Sequence, residues 1–87
     1  MNRIYSIRMG SLEINGLISP GELPDLISNF YRLSEKYAAT PEYLRDGVFL
    51  ATKGEVTVHL TIGDYYPSIP SKTLFDALED MMKQAFQ

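Results

Sequence analysis

The sequence contains no cysteine, no tryptophan and a single histidine, His59. Without cysteine there is no disulfide framework, no thiolate metal site and no thiol nucleophile. One histidine leaves little imidazole chemistry to draw on. The Gly-Lys phosphate loop and the His-Glu-x-x-His metal motif do not occur. Positive charge is also in short supply. Eight Lys and Arg stand against eleven Asp and Glu, a net charge of −3 with a pI near 4.9. Such a chain has no global attraction for phosphate, which disfavours direct nucleic-acid binding. No apolar run approaches the ~20 residues of a membrane helix. The first residues, Met1 to Ser6, lack the apolar centre of a signal peptide. The expectation is a cytoplasmic, non-enzymatic protein with no membrane partner, no cofactor and no metal.

What is present is globular. The 87 residues are 45% hydrophobic and 22% charged. Size scaling gives a folded surface of roughly 5,200 Å² and an unfolded one of roughly 14,400 Å². That is enough burial for one modest core and one domain spanning 1–87.

Hydrophobic periodicity places the elements. Tyr5, Ile7 and Met9 alternate with Ile4, Ser6 and Arg8, and after Gly10-Ser11 the alternation resumes with Leu12 and Ile14 against Glu13 and Asn15. A glycine-first two-residue loop signals a type II′ hairpin. Closing it there pairs Met9 with Leu12, Arg8 with Glu13 and Ile7 with Ile14, so apolar meets apolar and opposite charges meet. Gly16 falls opposite Tyr5. Ser19-Pro20-Gly21-Glu22 reads as a capping box with proline at the first helical position. Pro24 then predicts a short irregular turn before a helix from about Pro24 to Tyr37, with Leu26, Ile27, Phe30, Leu33 and Tyr37 on its apolar stripe.

Thr40-Pro41-Glu42 resembles a second helix start, and Gly47 a stop, which predicts one helical turn over Pro41–Asp46. Val48–Thr52 and Glu55–Ile62 read as a second hairpin around Gly54. Its loop is either Gly54-Glu55 or, one residue displaced, Lys53-Gly54. Two prolines make Gly63–Pro70 a loop. A last helix from about Ser71 carries Leu74, Phe75, Leu78, Met81, Met82, Ala85 and Phe86 on one face.

The order is strand, strand, helix, twice over. Gly10, Leu12, Ile14 and Ile18 reappear 44 residues later as Gly54, Val56, Val58 and Ile62; Leu26, Ile27, Phe30 and Leu33 reappear 48 residues later as Leu74, Phe75, Leu78 and Met81. Pseudo-repeats over about 3–38 and 47–87 are consistent with an internal duplication, although any two units of this pattern would look alike at this level. The expected fold is α+β: ββαββα, a four-stranded antiparallel sheet with both helices packed on one face. The other sheet face would carry Arg8, Glu13, Asn15, Thr57, His59 and Thr61 among Ile4, Leu17, Val48 and Leu50. That mixed face is either solvated or buried in a homodimer.

Chemistry-bearing constellations are few. His59 has Thr57 and Thr61 beside it on its strand and no carboxylate placed near it, so it reads as a surface histidine. Asp76, Glu79 and Asp80 cluster on the last helix, as a solvated face or as a strip that docks a basic partner or imitates phosphates. Tyr65-Tyr66-Pro67, in a proline-rich loop, offers large amphipathic rings of the type enriched at binding hot spots; Tyr43 offers another. The candidate partner-binding residues are therefore Tyr65, Tyr66, Tyr43, Asp76, Glu79 and Asp80. They point to a small acidic module that binds another protein, an inhibitor or regulator of the phage or mobile-element (for example anti-CRISPR) type. The alternative is a dimeric assembly factor or secretion-type chaperone that uses the sheet face or the Met-rich helix.

Overall fold

The computed structural model describes residues 3–45, 47–63 and 74–87, with side chains in the last stretch from residue 78 onward. The fold is α+β, a five-stranded antiparallel sheet with two helices. Strands β1 (Arg3–Met9) and β2 (Leu12–Ile18) form the first hairpin. Helix α1 (Leu23–Lys36) follows a one-turn 3-10 helix (Pro20–Glu22). Next come β3 (Thr40–Arg45), β4 (Val48–Lys53), β5 (Val56–Gly63) and helix α2 (Leu74–Phe86). The sheet order is β2-β1-β5-β4-β3.

Both hairpins close as their glycines dictate. Gly10 has φ +60° and Gly54 φ +62°, while Ser11 and Glu55 stay at negative φ. That combination is the type II′ turn, whose twist matches that of the flanking strands. The first hairpin pairs Met9 with Leu12, Arg8 with Glu13, Ile7 with Ile14 and Tyr5 with Gly16. The second pairs Lys53 with Val56, so its loop is Gly54-Glu55. Alternation then sends Tyr5, Ile7, Phe49, Ala51, Val58, Leu60 and Ile62 into the core, where the helices supply Leu26, Phe30, Leu33, Leu78, Met81, Met82 and Phe86. Tyr5 is fully buried and its ring lies against Gly16; a Cβ at Gly16 would sit 2.6 Å from three of its atoms. The glycine is therefore the space the ring occupies.

Two predicted features need correction. The sheet has five strands and not four, because Thr40–Arg45 is a strand where a helical turn over Pro41–Asp46 was expected. The local helix-start signal at Thr40-Pro41-Glu42 loses to pairing. Alternate backbone groups of β4 face away from β5, and β3 satisfies them, with Thr40 opposite Thr52 and Glu42 opposite Leu50. Consequently the element order is ββαβββα. Gly47, expected as a helix stop, instead links β3 to β4 at φ +73°. Its carbonyl accepts from the Ile62 N–H at 2.7 Å, and a Cβ there would collide with the Ile62 carbonyl oxygen.

The entry to α1 follows the sequence. The Glu22 N–H donates to the Ser19 carbonyl at 3.0 Å, and the Ser19 hydroxyl donates to the Glu22 carboxylate at 2.8 Å. The exit does not carry its usual glycine. Ala38 takes φ +58°, its N–H donates to the Glu35 carbonyl and the Ala39 N–H to the Ser34 carbonyl. This is a Schellman ending built on alanine, which gives up part of its stability to Cβ crowding. The chain is thereby turned from α1 into β3. Helix α1 packs against β3, while α2 packs against α1 and crosses β1, β5 and β2.

Candidate interaction surface

Tyr43 stands opposite Phe49 in the β3–β4 register. Phe49 is buried toward the helices, so Tyr43 lies on the helix side of the sheet, at its edge. The ring centroids are 5.3 Å apart, and Phe30 and Tyr31 of α1 complete an aromatic cluster at 5.7 and 6.3 Å from Phe49. This packing holds the Tyr43 ring in place although 52% of the residue is exposed; the next residue, Leu44, is 49% exposed. The register shifts between Tyr43 and Arg45, so Leu44 sits in a bulge and escapes regular pairing.

Beside Tyr43 is an open cleft of about 380 Å³, lined by Arg3, Leu23, Ile27, Tyr43, Gly47, Phe49 and Ile62. Leu23 and Ile27 come from the first turns of α1, Phe49 and Ile62 from the strands. Arg3 is held by its Nε–H, which donates to the Gly63 carbonyl at 3.2 Å. The lining is apolar with one guanidinium and one phenol, suited to an apolar side chain bearing a polar end. Among these residues there is no carboxylate and no imidazole to move a proton.

The other predicted site residues are described only in part. Tyr65 and Tyr66 lie outside the described residues. Asp76 falls on α2, where its side chain is likewise outside them. Glu79 is engaged: its carboxylate meets the Lys36 ammonium at 3.2 Å, tying α2 to α1. Both groups are about half exposed, so this pair contributes at most ~1 kcal/mol. Asp80 is exposed. Met81 and Met82 are buried core residues and offer no adaptable surface.

His59 is on the sheet face away from the helices. Its register partners are Arg8 on β1 and Leu50 on β4. Its Nδ1 is buried without a hydrogen-bond partner among the described residues. No group of three His, Asp or Glu residues is arranged to hold a metal among the described residues. No helix there is long and apolar enough to cross a membrane. Burial raises the Tyr5 phenol above its ordinary pKa of 10.0.

Sequence reasoning singled out Tyr43 but missed Leu44, Arg3 and the cleft. The cleft depends on β3 being the strand beside β4, a non-local fact. Comparison with known proteins adds no relative: no family model, no curated protein and no solved structure matches the chain.

Proposed function

We propose that this chain is a non-catalytic protein-binding module, a small acidic inhibitor or regulator that works by covering part of a partner's surface. Tyr43 is the anchor, with Leu44 and the adjoining cleft completing the contact. The observation that supports this most is the pairing of two half-exposed large apolar residues with an open apolar cleft at one sheet edge. Tyrosine held by neighbouring rings presents a large surface at low entropic cost, the property that makes it a hot-spot residue. An apolar patch rimmed by polar groups is what partner sites look like on small monomers. Tyr65, Tyr66, Asp76 and Asp80 belong to the same proposal as further contacts, as does a setting of the phage or mobile-element type.

The test is affinity capture from the native host followed by mass spectrometry. Wild type, Tyr43→Ala and Tyr65→Ala/Tyr66→Ala serve as parallel baits. The expected result is one partner enriched by wild type and lost with Tyr43→Ala, in a variant that stays folded. Equal enrichment by wild type and Tyr43→Ala would remove Tyr43 from the site.

A further inference from the structure

The two edges of the sheet are built differently, and backbone parity shows how. In the β4–β5 hairpin the turn closes on Lys53 and Val56 as a hydrogen-bonded pair, and every second pair from there is bonded too. The Ile62 N–H to Gly47 carbonyl bond, 2.7 Å, continues that series. Hence Val48, Leu50 and Thr52 direct their backbone groups to β3. Their partners there are Arg45, Glu42 and Thr40, so Pro41 and Tyr43 direct theirs outward. Pro41 has no N–H to offer, and the register breaks just after Tyr43. Proline and a bulge are two standard ways of blunting a sheet edge.

β2 at the opposite edge has neither. Its seven residues, Leu12–Ile18, include no proline and pair with β1 without a register shift. The type II′ turn makes Met9 and Leu12 a bonded pair, so Glu13, Asn15 and Leu17 point their N–H and C=O groups away from β1. No hydrogen bond within the described residues uses those outward groups. Leu12, at the same edge, is 49% exposed.

We propose that β2 pairs with β2 of a second copy of this chain, antiparallel, about a two-fold axis through Asn15. This register alone matches all three outward positions with one another: Asn15 with Asn15 of the second copy, and Glu13 with Leu17 in both directions. Each such pair exchanges two backbone hydrogen bonds. No glutamate faces a glutamate, and the two Asn15 amides, each both donor and acceptor, meet at the axis. On the helix side, Leu12 falls opposite Ile18 of the second copy in a close non-bonded pair. The two sheets become one, with the blunted β3 edges at its two ends. The Tyr43 cleft is left open in each copy, so the dimer stands or falls independently of the function proposed above.

Sedimentation velocity of the full chain from micromolar to millimolar concentration tests this. Wild type should show a concentration-dependent monomer–dimer equilibrium. Asn15→Pro deletes a donor that the monomer does not use, and should weaken dimerisation about tenfold or more while the hairpin stays folded by circular dichroism. Leu17 substitutions keep the test open if that variant misfolds. Leu17→Glu sets a like charge against Glu13 twice over and should weaken the dimer roughly threefold or more, whereas Leu17→Lys should tighten it by a similar factor at low salt. A monomer at every concentration overturns the proposal and leaves the edge to a strand of another protein. A dimer indifferent to Asn15→Pro, or shifted the same way by Leu17→Glu and Leu17→Lys, overturns it in favour of another surface such as the open sheet face.

Discussion

Gly16→Ala isolates the packing of the first hairpin from its backbone conformation. Gly16 does not occupy the left-handed region, so alanine meets no dihedral penalty there. In an open strand the change would stabilise by about 0.5–1 kcal/mol, because glycine gives up more freedom on folding. Here the new methyl would lie 2.6 Å from Cε2, Cζ and Oη of Tyr5. Tyr5 is fully buried within the core cluster, where close packing leaves its rigid ring little room to move. Overpacking of that kind costs about 1–3 kcal/mol. The balance is a net loss of about 0–2.5 kcal/mol, a fall in Tm of up to roughly 10–20 °C for a chain of this size. Urea unfolding followed by circular dichroism measures it, with the slope against denaturant unchanged. The steric origin is checked by a double-mutant cycle with Tyr5→Leu. In that background the same Gly16→Ala change should cost nothing or stabilise. If Gly16→Ala costs the same in both backgrounds, or stabilises wild type, the packing argument is wrong.

Two further outcomes follow from the described residues. Ala38→Gly should raise stability by about 0.5–1 kcal/mol, since glycine takes the left-handed C-terminal position of α1 without Cβ crowding; an unchanged or lower urea midpoint would contradict this. Stability should fall as pH rises above 10.0. The folded state keeps the Tyr5 phenol protonated where the unfolded state releases its proton, so the native state binds more protons and ∂ΔG/∂pH is negative. This contribution is intact below the ordinary tyrosine pKa and disappears as pH rises through the folded one. Tyr5→Phe should flatten that part of the alkaline profile in pH-resolved thermal melts, and an identical slope in the variant would remove Tyr5 as its source.

The hairpins were legible in the sequence because their information is local. Gly10-Ser11 and Gly54-Glu55 specify the turn, and alternation on either side specifies the register, including Tyr5 opposite Gly16. Both helices were legible from their apolar spacing. β3 was not, because Thr40-Pro41-Glu42 carries a helix-start signal and six residues hold too little pattern to oppose it. The need that decides it lies in β4, whose outward backbone groups require a partner. Nor was the end of α1 legible at Ala38, since tertiary packing imposes a left-handed residue where no glycine announces one. The strand order, which makes β2 and β3 the edges and brings Arg3 to the cleft with Tyr43, is set by β1 pairing with β5 across more than fifty residues of sequence. Single-strand patterns do not encode that choice. The residues Tyr65 and Tyr66 lie outside the described structure, so the site rests on Tyr43 and Leu44.

The most direct test of the proposed site places a photo-crosslinking amino acid at Tyr43 in the full chain and irradiates it in the native host. A second probe at Glu35, on the solvent side of α1, serves as reference. One predominant covalent adduct is expected from position 43, with a single protein identified by mass spectrometry, and none of it from position 35. Adducts from both positions to the same set of proteins, or none from position 43, would contradict it.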